Sequence, residues 1–162
     1  MTTLHDAHAH VWSPDRIRYP LAPGIDDGDL WLPAFTPDDH EAIAGSRLPI
    51  NLVQMTWYGL DHRYILDLIA SDPDTYAGTG IVPGVADVSL ADPGKTMVAL
   101  AAGGLRAFRV RGGKTGRPTA FGRVSRWLDY PGYESMFKAG AEHELALSFL
   151  MGLEDLPDLI RM

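Results

Sequence analysis

Short apolar runs and amphipathic stretches alternate along the chain. LHDAHAHV (4–11) reads as a first strand, and the segment after it (12–35) is too rich in Pro, Gly and Asp for regular structure. TPDDHEAIAG (36–45) carries the marks of a helix. Thr36 suits the N-cap, Pro37 the first turn, Asp38 and Asp39 the positive end of the dipole, and Gly45 the C-terminal cap. PINLVQM (49–55) predicts the second strand. DHRYILDLIAS (61–71) predicts a helix with Asp61 as N-cap and Ile65, Leu68 and Ile69 on one stripe.

YAGTGIVP (76–83) predicts strand three. DPGKTMVALAAGG (92–104) predicts a helix that starts at Asp92-Pro93, with Met97, Leu100 and Ala101 as its stripe. LRAFRV (105–110) predicts strand four. After a polar loop come a helix (131–144), strand five, LALSFLM (145–151), and the start of a last helix (154–162). Strict alternation implies a parallel sheet, because parallel neighbours need a crossover. Short apolar strands fit a sheet covered on both faces. Two architectures satisfy the pattern: an open doubly wound sheet, or part of a (β/α)8 TIM barrel, whose full form has about 250 residues. About five βα units are present, in a chain of 162 residues read as a single domain.

Composition narrows the function classes. With 46% hydrophobic and 22% charged residues the chain is an ordinary globular protein. A net charge of −7 argues against nucleic acid or an anionic membrane as partner. There is no cysteine, hence no thiol chemistry. No basic-then-apolar leader and no apolar run of about 18 residues is present, so a cytoplasmic location is expected.

The candidate chemistry begins in strand one. On a strand of regular period two, Asp6, His8, His10 and Trp12 share one face, and Ala7, Ala9 and Val11 the other. Random placement of six histidines gives roughly 0.2 His-x-His pairs, so the spacing alone is weak evidence. Asp6, deeper than the pair, suits an orienting partner. His40 and His62 fall at helix starts, where they are expected to be exposed and to carry no role. Arg109 and Arg111 share strand parity and could read a substrate carboxylate bidentately. Gln54 and Thr56, at the end of strand two, could hydrogen-bond a substrate. Trp12, Trp57 and Tyr58 could wall a pocket or simply pack. RGGKTG (111–116) imitates the end of a phosphate-binding loop, but Phe108 stands where that loop needs glycine.

DAHAHVW (6–12) resembles the opening of the amidohydrolase superfamily. YGLDHRYILDLIASDPDTYAGTGIVP (58–83), GGLRAFRV (103–110) and LEDLPDLIRM (153–162) are similar, in order, to segments of its lactonase-like branch, which includes 2-pyrone-4,6-dicarboxylate lactonase and sugar lactonases. The resemblance implies a barrel opened after strand five. It also implies a hydrolase of a lactone or similar cyclic ester or amide, of carboxylated type, with His8 and His10 as catalytic residues. In metal-dependent relatives such a pair holds one divalent ion, zinc or manganese; other lactonases of the branch work without metal. No histidine lies on strand five, where Ser148, Phe149 and Leu150 stand. A base from an eighth strand would lie beyond Met162, so the chain alone is expected to hydrolyse lactones poorly or not at all. Homo-oligomerisation through the open edges of strands one and five is expected. The competing readings are an inactive partial barrel and a doubly wound domain that binds a small ligand.

Overall fold

The computed structural model describes residues 4–83, 91–111, 118–119, 122–123 and 129–160. The fold is α/β, with parallel strands alternating with helices as in part of a (β/α) barrel. The residues group into two compact units, one of 4–80 with 103–105 and the other of 81–102 with 106–160.

The first unit holds strands β1 (Asp6–Ala9), β2 (Ile50–Val53) and β3 (Tyr76–Gly80), with helices α1 (Pro37–Ala44) and α2 (Arg63–Ser71) between them. Helix α1 begins and ends as its sequence predicts. Thr36 Oγ1 accepts from Asp39 N, Asp39 returns a bond to Thr36 N, and Gly45 closes the helix at φ 75°. Helix α2 starts one residue later than predicted, at Arg63. His62, not Asp61, is therefore the N-cap, and Asp61 lies one residue outside the helix, where its carboxylate accepts from Arg63 N. β2 runs parallel to both neighbours, and Leu52 is fully buried. At Gly78 in β3 a Cβ would collide with the tip of Leu105 and come within 2.8 Å of the Ile69 Cδ1, so a larger residue there would push the ends of these two core side chains aside.

The long segment 12–35 is ordered rather than loose. Its ends, Trp12 and Phe35, exchange two backbone hydrogen bonds of 2.8 and 2.9 Å. Arg16 ties its middle, donating to Asp27 Oδ1 at 2.8 Å and to the Ser13 and Pro33 carbonyls. Pro, Gly and Asp here build specific turns, and one guanidinium satisfies three acceptors, two of them 11 and 17 residues away.

The second unit holds helix α3 (Pro93–Ala102), strand β4 (Ala107–Arg111), a short hairpin β5 (Pro118–Thr119) and β6 (Gly122–Arg123), helix α4 (Pro131–Glu142), strand β7 (Ala146–Leu150) and a single-turn α5 (Leu156–Leu159). The hairpin falls within the predicted polar loop, and β7 is the predicted fifth strand. β4 and β7 are parallel over five residue pairs. Phe108, Val110, Met97 and Met136 are buried. Among the described residues no helix is long and apolar enough to cross a membrane.

Asp92 shows how α3 begins. Its carboxylate accepts from Gly94 N and Lys95 N and from Ser135 Oγ, the last at 2.5 Å. The Ser135 hydroxyl, and after it the Lys95 amide, hold the Asp92 carboxyl below its usual range. A depressed folded pKa stabilises above the unfolded value of about 3.9, and the gain is lost as pH falls through the folded one. Asp6, Asp39, Asp61 and Asp72 are depressed as well. Urea midpoints should therefore fall below about pH 4, and less steeply for Asp92→Asn. Equal slopes for the two proteins would remove Asp92 from this account.

Candidate active site

The site is built on β1 and the residues just after it. His8 lies in the strand and His10 one residue past its end, both in the first unit. Their rings converge: His8 Nε2 and His10 Nε2 are 3.3 Å apart, the ring centroids 5.0 Å, at 79°. His10 Nδ1 lies 2.9 Å from the Val53 carbonyl oxygen. A carbonyl only accepts, so Nδ1 carries the hydrogen, and in the neutral form of the ring Nε2 presents a lone pair. His8 Nε2–H then donates to that lone pair. The end of β2 thus fixes the tautomer of His10, and His10 fixes that of His8.

One expectation about this strand needs correction. Asp6 does not follow the parity of His8 and His10. Asp6 pairs with Ile50 but Ala9 pairs with Leu52, so three steps along β1 match two along β2. This slip is a bulge, and it places Asp6 on the side of Ala9. The Ala7–His8 peptide at the slip is held by side chains. Its N–H donates to Asp6 Oδ1 at 2.9 Å, and its carbonyl accepts from Asn51 Nδ2 at 3.0 Å. Asp6 Oδ2 meets His40 Nε2 at 2.8 Å, and the His8 amide followed by His40 holds the Asp6 carboxyl below its usual range. Ala9 and Val11 are buried as expected of the opposite face, but Ala7 is exposed.

Two other histidines depart from expectation. His40 is not a free surface group: its side chain is 12% exposed and bonded to Asp6. His62 is buried. Helix starts favour exposure only where no strand packs against them, and the sequence carries no sign of such a long-range partner.

Gln54 is buried, and its amide nitrogen donates to the Gly59 and Asp61 carbonyls, which fastens the turn after β2. Thr56 is exposed at the start of that turn. Trp12 is buried, donates from Nε1 to the Leu32 carbonyl and sits edge-on to Trp57 at 4.9 Å. Tyr58 is buried and accepts from Ser13 N at 2.8 Å, and burial raises its hydroxyl pKa. Both side chains thus hold segment 12–35 in place, Trp12 through Leu32 and Trp57, and Tyr58 through Ser13. Arg109 belongs to the second unit, half-buried on β4 opposite Ser148. β4 extends to Arg111, so both arginines share a parity opposite to buried Phe108 and Val110. The Arg111 side chain lies outside the described residues, as does Lys114 of the glycine-rich loop.

Whether the pair suits a metal can be tested on geometry. Two nitrogens each about 2.05 Å from a tetrahedral ion lie roughly 3.3 Å apart, which matches the observed 3.3 Å. A catalytic zinc needs a third protein ligand. Among the described residues no group of three His, Asp or Glu is placed to hold an ion. The donor set is one short.

Sequence reasoning missed Asn51 and the Val53 carbonyl. Asn51 did leave a signal: like Gln54 it is an amide within the apolar run PINLVQM, where a polar group drawn from water needs partners.

No family model matches the sequence, and no curated protein matches it significantly. Solved structures do match. One is a probable 2-pyrone-4,6-dicarboxylic acid hydrolase of Acinetobacter baumannii with citric acid bound, at TM-score 0.64 and 18% identity, over 99% of this chain and 54% of that one. Another is a candidate 2-pyrone-4,6-dicarboxylic acid hydrolase of Pseudomonas putida, at TM-score 0.62 and 21% identity, over 98% of this chain and 52% of that one. The chain spans about half the length of these structures. At such identity the likeness is one of fold, and it covers both units of the chain.

Proposed function

We propose that the chain carries a lactonase-like hydrolytic site of the amidohydrolase type, for a carboxylated lactone or a similar cyclic ester or amide. The observation that carries this reading is the His pair: a fixed acceptor on His10 and a donor on His8, 3.3 Å apart. Substrate and water would replace their mutual contact. Water gives a proton to His10 Nε2 as its oxygen attacks the acyl carbon, and the His8 Nε2–H steadies the charge growing on the carbonyl oxygen. The ring C–O bond then breaks, and the proton on His10 passes to the departing oxygen. No step is routed through a metal, because among the described residues no third ligand stands with the pair. The fold likeness to two candidate lactone hydrolases supports the class.

The test is a titration of the full chain with 2-pyrone-4,6-dicarboxylate and an uncarboxylated lactone, followed by the ring resonances of His8 and His10 and by ring opening. The carboxylated lactone should shift both rings and open slowly, and the uncarboxylated one should bind more weakly. A carboxylated lactone that moves neither ring and stays closed would overturn the reading.

Self-association belongs to the same proposal. β7 pairs with β4, yet Leu147, Ser148 and Phe149 are half-exposed and Leu150 is 53% exposed. An apolar strand so displayed recruits another chain. Sedimentation should show association that rises with concentration and weakens in Leu150→Lys. A stable monomer at all concentrations would exclude it.

A further inference from the structure

We infer that His40 and Thr79 are positioning residues for the His pair, acting through a clamp on the Ala7–His8 peptide. The inference rests on the reading of His8 and His10 as the reacting groups. The bulge in β1 turns this peptide from the regular ladder, and a peptide so displaced needs partners for both its polar groups. Asp6 Oδ1 takes the N–H and Asn51 Nδ2 supplies the carbonyl. Neither clamp residue is left to itself. The second oxygen of Asp6 is held by His40 Nε2 at 2.8 Å, from helix α1. The amide oxygen of Asn51 accepts from Thr79 Oγ1 at 3.0 Å, from β3. Thr79 is 1% exposed, so its hydroxyl has no bulk water to turn to.

The consequence is geometric. Two flanking elements hold one peptide at its two ends, and that peptide carries the Cα of His8. Without the slip, residues two apart would simply stand side by side on a strand about 7 Å apart, two rises of about 3.4 Å. With it, and with His10 anchored on the Val53 carbonyl, the two Nε2 atoms approach to 3.3 Å. His40 fixes Asp6, Thr79 orients the Asn51 amide with its nitrogen toward Ala7, and the pair is set by both.

Conservative pairs of substitutions test this on the full chain. A glutamine amide stands near the place of an imidazole Nε2, whereas an asparagine amide falls short, so His40→Gln should keep the bond to Asp6 and His40→Asn lose it. Thr79→Ser keeps the hydroxyl and Thr79→Val replaces it at equal size. The readout is the ring nitrogen spectrum of His8 and His10, recorded above the titration range of imidazole. The unsubstituted chain, His40→Gln and Thr79→Ser should show His10 as a single Nδ1–H tautomer and His8 as Nε2–H. His40→Asn and Thr79→Val should lose the single pattern and show mixed tautomers at one ring or both. Unchanged spectra in His40→Asn and Thr79→Val would overturn the inference. So would equal disturbance in the conservative partners, or loss of the fold in both His40→Asn and Thr79→Val, since these side chains would then serve the fold itself. No lactone enters this measurement, so its failure is separate from failure of the proposed hydrolysis.

Discussion

Gly94→Ala should destabilise the protein by about 2 kcal/mol, although alanine is the better helix former. Two effects oppose each other. Within a helix, alanine gains up to about 1 kcal/mol over glycine, and less in a first turn, where Gly94 lies next to Pro93. Against this stands the packing of α3 on α4. A Cβ at position 94 would collide with Ser135 Oγ and stand 2.5 Å from the Ser135 carbonyl oxygen and 3.1 Å from its carbonyl carbon. A hydroxyl can rotate away, but the carbonyl belongs to the backbone of α4, so the helices must separate. Overpacking of this kind costs about 1–3 kcal/mol. Separation also stretches the Ser135–Asp92 bond of 2.5 Å that helps start α3. The steric cost therefore exceeds the gain in propensity. Urea unfolding of Gly94→Ala measures the net, and Gly94→Ala combined with Ser135→Gly should recover only part of it, because the carbonyl stays. Stability equal to the unsubstituted chain would refute the close approach.

What the sequence announces about this molecule is local, and what it conceals is long-range. Helix α1 is legible to the residue, because Thr36, Pro37, Asp39 and Gly45 satisfy the helix ends from positions within the helix's own turns. The start of α3 at Asp92-Pro93 is legible for the same reason. The convergence of His8 and His10 is half legible. Their common side comes from spacing, but the bulge that sets Asp6 apart depends on partners 34 and 44 residues on: His40 for Asp6, and Asn51 for the Ala7 carbonyl. A period-two pattern assumes an unbroken ladder and holds no sign of where a ladder slips. Segment 12–35 likewise reads as irregular from its Pro, Gly and Asp. Its order depends on Arg16 reaching Asp27 and the Pro33 carbonyl, and on Trp12 meeting Trp57, contacts no local rule contains. The two arginines on β4 are legible as a parity, since alternation there is unbroken from Ala107 to Arg111.

His10→Asn should slow lactone ring opening about a thousandfold, relative to the unsubstituted chain, with little loss of stability. The asparagine amide nitrogen stands near the place of imidazole Nδ1, so it can still donate to the Val53 carbonyl that His10 Nδ1 meets at 2.9 Å. What it lacks is the Nε2 lone pair. A positioned general base contributes about 10²–10⁴ in rate. His8 predicts a contrast. Its part is to donate from Nε2, and a glutamine amide nitrogen near that place can still donate, so His8→Gln should lose only about tenfold, the lesser share of a single oxyanion donor worth about 10²–10³. His10→Gln tests the assignment from the other side. Its amide can donate or accept a hydrogen bond but cannot take a proton from water, so its loss should equal that of His10→Asn. Single-turnover ring opening, with a stability measurement on each variant, separates chemistry from fold. Equal losses in His8→Gln and His10→Gln would show that the two rings act as a symmetrical pair of donors, and the base assigned to His10 would fall.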